Sequence, residues 1–227
     1  MRWDPAYRVV TDPGKFLARL ASTVDEREAA SQALATVHPA STDYIENNAA
    51  LAPMIGRPGW QSLVQPFVGR GYNESRFSDG TYGVYYSADT METARREVLY
   101  HRTRLFRKHG TRPTSVTLNC HAADLRGRLH DIRGLRSKLP EIYDSGDPPE
   151  AYRVSQPFGR SLYDQRSNGL AYDSVRHGGG HCVGVFRPVP ILHSSRLHAR
   201  ICADWDGHDF AETTTQLLDA SERAPRS

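Results

Sequence analysis

Residues 76–97 read Arg76-Phe77-Ser78-Asp79-Gly80-Thr81-Tyr82-Gly83-Val84-Tyr85-Tyr86-Ser87-Ala88-Asp89-Thr90-Met91-Glu92-Thr93-Ala94-Arg95-Arg96-Glu97. The stretch divides into a turn, a strand and the start of a helix. Asp79-Gly80 supplies the turn, because Asp bonds nearby backbone and Gly accepts positive φ. Tyr82 to Ser87 is rich in aromatic and β-branched residues, and predicts a strand. Asp89, with Glu92 three residues later, predicts a capping box that opens a helix from Thr90 to about Arg107. On that helix Met91, Ala94, Val98 and Leu105 form the expected buried stripe, with Glu97 at its margin one turn before His101. A carboxylate at the edge of a core-facing stripe is half-desolvated, a costly place for a charge unless something pairs with it. Along the strand Tyr82, Val84 and Tyr86 share one face and Tyr85 takes the other. Either Tyr86 or Tyr85 therefore lines the side on which Arg76 and Glu97 converge.

Downstream, short runs of Val, Tyr and Thr alternate with turn residues. Strands are expected at Thr114 to Asn119, Leu129 to Ile132, Leu170 to Val175, Cys182 to Phe186 and Pro190 to His193, with a second helix from about Glu150 to Gln165. The pattern predicts an α+β fold, a mixed, mostly antiparallel sheet with flanking helices. Upstream, Phe16, Leu17, Leu20, Val24, Leu34 and Val37 recur at helix spacing before Pro39, and a short helix is expected from Asp43 to Leu51. The chain thus divides into residues 1–68, an opening strand plus a helical N-terminal extension, and residues 69–227, a single compact core whose last residues, Ala224 to Ser227, form a loose tail.

The 227 residues carry 29 basic and 26 acidic side chains, a net charge of +3. That balance implies no nucleic-acid footprint, while a sequence pI near 8.8 suits a small anionic ligand. No apolar stretch approaches the roughly 20 residues of a membrane helix, and MRWDPAYRVV lacks the features of a signal peptide, so a cytoplasmic location is expected. Cys120, Cys182 and Cys202 form no CxxC pair, and are expected as reduced, buried thiols. His177 and His181 are four apart, but the glycines between them forbid the helix that would align them on a metal, so none is expected. The run Arg102, Arg104, Arg107, Lys108 reads as a solvated helix face, with docking of an acidic partner as the other use.

A third element comes late, Ser167-Asn-Gly-Leu-Ala-Tyr-Asp-Ser174-Val-Arg176-His-Gly-Gly-Gly-His-Cys182, a strand running through three glycines into a second strand. With Arg-Phe-Ser-Asp-Gly, Tyr-Gly-Val-Tyr-Tyr and Glu97 before it, the whole resembles the RES domain family, named for an arginine, a glutamate and a serine. The resemblance spans roughly Tyr72 to Asp206, with Tyr7-Arg8-Val9 matching the opening strand. Arg76, Tyr86 and Glu97 stand ten and eleven positions apart, as the family's arginine, tyrosine and glutamate do.

That resemblance implies a fold similar to the diphtheria-toxin type of ADP-ribosyltransferase, and a toxin of a bacterial toxin-antitoxin module with NAD as its substrate and no metal. Such enzymes cleave the nicotinamide-ribose bond and pass ADP-ribose to water, phosphate or a protein, as hydrolase, phosphorylase or ADP-ribosyltransferase. It also implies a DNA-binding antitoxin of the Xre type as partner, with no direct nucleic-acid binding and no membrane. A non-enzymatic binding module is the reading from another class.

The residue types suit that chemistry. The nicotinamide of NAD leaves as a neutral base from a pyridinium, so one carboxylate suffices where an ordinary glycosidase needs two. Glu97 would stabilise the developing ribose cation, and a partly desolvated carboxylate does so better than one in water. Arg76 offers a charged fork for the pyrophosphate and a partner for Glu97. Tyr86 offers a face on which nicotinamide stacks, Ser174 a hydroxyl for the carboxamide or for holding the loop, and Arg176, on the same strand face, a second phosphate ligand. Structural roles stay open to each: an ordinary ion pair for Arg76 and Glu97, a core aromatic for Tyr86, a turn cap for Ser174.

Overall fold

Alternating burial carries the chain through thirteen residues of strand from Thr114 to Arg126 (β3). The sequence pattern predicts a strand ending at Asn119, because a bulge between Cys120 and His121 breaks the two-residue period and re-aims the side chains beyond it. In the computed structural model, which describes residues 1–11, 53, 60–67, 74–188 and 192–218, β3 lies between Arg2–Thr11 (β1) and Leu192–Trp205 (β7). The other elements are Trp60–Val64 (α1), Tyr85–Ala88 (β2), Met91–Lys108 (α2), His130–Asp131 (β4), Ser155–Asp164 (α3), Gly169–Asp173 (β5), His181–Val185 (β6) and Phe210–Leu217 (β8). Single 3-10 turns cover Gln65–Phe67 and Glu150–Tyr152.

The described strands form one eight-stranded sheet in the order β4-β5-β6-β2-β1-β3-β7-β8. Only β4 and β5 run parallel, so the sheet is mixed and mostly antiparallel, with helices beside it. The β7–β8 hairpin replaces the short strand expected at Pro190 to His193. Along β7 the inward places go to Ala199, Ile201, Ala203 and Trp205, and the outward ones to Arg200, Cys202 and Asp204. β8 (Phe-Ala-Glu-Thr-Thr-Thr-Gln-Leu) is an edge strand with almost no apolar signal.

Because side chains alternate along β5, β6 and β2, the sheet sorts them onto two faces. Tyr85, Ala171, Val183 and Val185 pack with Leu63, Val64 and Phe67 on the α1 side. Tyr86, Ala88, Leu170, Tyr172 and Cys182 pack on the other side with Phe77, Ala94 and Leu162. This settles the choice left open by the sequence: Tyr85 is core at 0% exposure, and Tyr86 shares its face with α2 and α3.

Helix α2 departs from its expected details at both ends. Its N-cap is Thr90, whose hydroxyl accepts from Thr93 N at 3.1 Å. Asp89 instead accepts from the backbone N of His181 at 3.1 Å, and Glu92 pairs with Arg95 and Arg96. Leu105 is exposed at 43%. In its place Thr103 turns inward to bond Asp209 at 3.0 Å, and Phe106 meets Trp205 edge-on at 5.4 Å. The expected second helix is split into the 3-10 turn at Glu150–Tyr152 and α3. Apart from α1 and the turn after it, the helices expected between Asp12 and Val68, and the tail at Ala224 to Ser227, lie outside the described residues. Among the described residues no helix is long and apolar enough to cross a membrane.

Helix α3 reaches the segment of Arg76 through a glycine. A Cβ at Gly159 would overlap the Phe77 carbonyl oxygen and lie 2.9 Å from Phe77 Cα, a backbone contact that cannot swing aside. Gly159→Ala is therefore expected to destabilise the fold by about 1–3 kcal/mol. Gly178→Ala, with nothing within 4 Å of the new methyl, should leave the thermal midpoint nearly unchanged.

Candidate functional site

Helix α2 presents Glu97 to the end of β5, where the strand gives way to a loop. Ser174 begins that loop, 2% exposed, and its Oγ donates to Glu97 Oε1 at 2.6 Å. The same oxygen accepts from the backbone N–H groups of Arg176 (3.2 Å) and His177 (2.9 Å). The Ser174 backbone N donates to Gly180 O at 2.8 Å, which closes the loop. Ser174 thus caps the turn and holds Glu97 at once. Two of the three glycines serve the bend: Gly179 takes a positive φ, and a Cβ at Gly180 would strike the Thr93 side chain, so the loop can lie against the first turn of α2. Thr93 Oγ1 also meets His177 Nδ1 at 2.9 Å, and His181 pairs with Asp89 at 2.9 Å. Both histidines therefore tie the loop and β6 to the start of α2, and no cluster of metal-ligating groups gathers among the described residues.

Cys182, on β6, approaches the same Glu97 oxygen with its Sγ at 3.9 Å. Burial pushes this thiol well above its ordinary pKa, with Glu97 and Asp89 adding to the rise, so it stands as a neutral S–H donor. Tyr172, two residues before Ser174 on the same face of β5, is likewise pushed far up by burial. Cys182, Glu97 and Tyr86 reinforce that rise and Arg76 opposes it.

Arg76 is placed differently from expectation. It is 8% exposed, and it spends its fork on backbone: Nη1 donates to Ile142 O at 2.8 Å and Nη2 to Asp144 O at 2.9 Å. Its guanidinium lies 5.2 Å from the Tyr152 ring centroid. No ion pair joins it to Glu97; the backbone carbonyls of Ile142, which is buried, and of Asp144 claim its donors. Its charge still reaches the site, since Arg76, Arg104 and Arg176 all oppose the rise that burial imposes on the Tyr152 hydroxyl. Tyr86 is half-buried. Its hydroxyl meets Ser75 Oγ at 2.9 Å and accepts from Phe77 N at 3.2 Å, and its ring lies against Gly184 of β6. Burial raises its pKa above the ordinary tyrosine value.

Arg176 sits in the loop beyond β5 rather than on the strand. Its guanidinium stacks on Tyr100 at 3.4 Å from the ring centroid, and donates to Ser145 O (2.6 Å) and Gly146 O (3.4 Å). His101 is exposed beside this cluster without a hydrogen bond to Glu97. Desolvation where its ring meets the protein lowers its pKa, with Glu97 opposing and Arg176, Arg104 and Arg76 reinforcing. Next to Tyr100 and Arg176 opens a groove of about 1010 Å³, which none of Arg76, Tyr86, Glu97 or Ser174 lines.

Tyr152, Tyr172 and Tyr100 are the members of this neighbourhood that the sequence did not single out; Cys182 was expected only as a buried thiol, and Arg104 as part of a basic helix face. The two-residue period from Ser174 back to Tyr172 was a usable signal. Nothing local pointed to Tyr152, which arrives on the 3-10 turn before α3. Cys202 is exposed, against expectation, because β7 turns it outward.

A family model described as "RES domain" matches residues 53–206. Among curated proteins there is no match. Among solved structures, the chain is similar to one in the "Crystal structure of the M.tuberculosis MbcT-MbcA toxin-antitoxin complex", at 15% sequence identity and a TM-score of 0.40, over 59% of this chain and 72% of that one.

Ser174→Ala removes the acceptor for two backbone N–H groups and the donor to Glu97. It should cost about 1–3 kcal/mol in a urea titration, whereas an unchanged midpoint would mean that the turn holds without its hydroxyl. Alkylation of the folded protein at pH 8 should label Cys202. Cys182 and Cys120, the latter raised by burial to about 12, should react only on unfolding.

Proposed function

Because the chain belongs to the RES domain family, we propose that it is the toxin of a toxin-antitoxin module, and that it degrades NAD by breaking the bond between nicotinamide and ribose. The observation that carries this reading is the Glu97 carboxylate, fixed by the Ser174 hydroxyl at 2.6 Å beside an uncharged thiol. Nicotinamide is bound to ribose as a pyridinium and leaves as a neutral base, so no acid has to protonate it. The demand falls on the sugar, where positive charge spreads over C1 and the ring oxygen as the bond lengthens. A half-buried carboxylate held in one rotamer meets that charge without reorganising, and low local polarity strengthens the attraction.

Around Glu97 the other groups take supporting parts. Tyr86 presents its ring on the same sheet face and receives the nicotinamide by stacking. Arg76 and Arg176 contribute fixed positive charge toward the diphosphate while their donors pin residues 142–146. Ser174 positions the carboxylate. Water or phosphate then attacks C1, as hydrolase or phosphorylase; transfer to a protein side chain would use the same apparatus with a different nucleophile. The reading includes a fold of the ADP-ribosyltransferase kind, a catalytic unit over residues 69–227 completed by β1 with the segment up to residue 68 as an extension, a small DNA-binding antitoxin of the Xre type, and the cytoplasm as the place of action.

Purified protein incubated with NAD should release nicotinamide, and comparison with and without phosphate should show ADP-ribose or its 1-phosphate as the other product. Glu97→Gln, which keeps the shape and removes the charge, should lower kcat by about 10²-fold or more while leaving the thermal midpoint close to wild type. Equal release by the two proteins would remove Glu97 from the chemistry.

A further inference from the structure

The groove beside the site has a charge and a position that the catalytic cluster does not use. Of its fourteen lining residues six are cationic, five from α2 and Arg176 from the loop, against two carboxylates, Asp147 and Asp209. Glu92, outside the lining, neutralises part of Arg95 and Arg96. The surplus is therefore three positive charges, six less the three carboxylates. Two of the ion pairs lie at the rim. Arg104 meets Asp147 at 2.8 Å, where the aspartate is 75% exposed, and Arg107 meets Asp209 at 3.7 Å. Surface pairs of this kind are weak and readily exchange one anion for another. Among the described residues Arg176 pairs with no carboxylate, and it lies flat on Tyr100 with its donors on two carbonyls.

The groove leads away from Glu97 along the same helix. Residues three, seven and eleven beyond it, Tyr100, Arg104 and Lys108, lie on one stripe of α2. The backbone N of Arg176 bonds the very Ser174 hydroxyl that holds Glu97. From Arg95 to Lys108 the helix rises about 20 Å at 1.5 Å per residue. The groove's volume of about 1010 Å³ is at the upper end for small-molecule sites, and too large for phosphate alone. Tyr100 and Phe210 add flat apolar walls to a lining in which charged residues are the majority.

We infer that this groove binds the adenosine diphosphate half of the dinucleotide, with the two phosphates among Arg104, Arg176 and Lys108 and the base against an aromatic wall. The inference rests on the catalytic reading given above. A ribose held at Glu97 has to send its diphosphate somewhere, and the stripe of α2 beyond Glu97 is where excess positive charge and aromatic surface occur together. An acidic peptide would use the charge but has no need of the rings or of the approach to Glu97.

Titration of the full-length protein with ADP tests this. Wild type should bind, Arg104→Met and Tyr100→Leu should each weaken binding about tenfold, the loss of one charge-assisted bond or one stacking contact, and both should raise KM for NAD more than they lower kcat. Arg102→Met, on the same helix but outside the groove, should bind ADP as wild type does. Equal ADP affinity in all four proteins would overturn the inference, as would a wild type that ignores ADP but binds an oligoglutamate peptide. Wild type that binds ADP through Arg104 and Tyr100 yet releases no nicotinamide would leave the groove standing and remove the catalytic reading instead.

Discussion

One hydroxyl joins the helix to the sheet at the point where the rest of the site is assembled. Ser174 Oγ takes two N–H groups from the loop it begins and gives its proton to Glu97, 77 residues earlier in the chain. A half-buried carboxylate without such a donor would be costly to keep charged. With it, Glu97 has a fixed oxygen, and the loop that supplies Arg176 has a fixed start. Thr93, His177, Asp89 and His181 repeat the linkage one helical turn away, so the first two turns of α2 and the β5–β6 connection form one hydrogen-bonded unit.

Arg76 organises a different part. By binding the carbonyls of Ile142 and Asp144 it fixes the segment that continues into Ser145 and Gly146, the two carbonyls Arg176 binds. Two arginines therefore hold one loop from its two ends, and that loop is a wall of the groove along α2. Arg76 shapes the surface that continues along α2.

What the sequence made legible depended on how local the signal was. The strand-turn-helix of residues 76–97 was readable because turn chemistry, aromatic residues and helical spacing agree within twenty-two positions. Which of Tyr85 and Tyr86 faces Glu97 was not, since alternation fixes only that they differ; packing of Leu63, Val64 and Phe67 over Tyr85 decides it. The ordinary ion pair left open for Arg76 and Glu97 does not form, because residues 142–144, remote in sequence, offered Arg76 two backbone carbonyls. The capping box failed more subtly: Asp89 had the right type and spacing, but β6 brought His181 against it, and Thr90 took the cap. The β7–β8 hairpin was invisible because alanine takes two of the inward positions of β7, Ala199 and Ala203, and its edge strand is threonine-rich.

The central claim is that a sugar cation forms against Glu97 while its diphosphate lies along α2. A crystal structure of the protein with a non-cleavable NAD analogue tests it most directly. The account predicts the ribose C1 in contact with the Glu97 carboxylate, the Ser174 bond intact, and the adenosine half in the groove. An analogue bound on another face, with Glu97 away from the ribose, would contradict it.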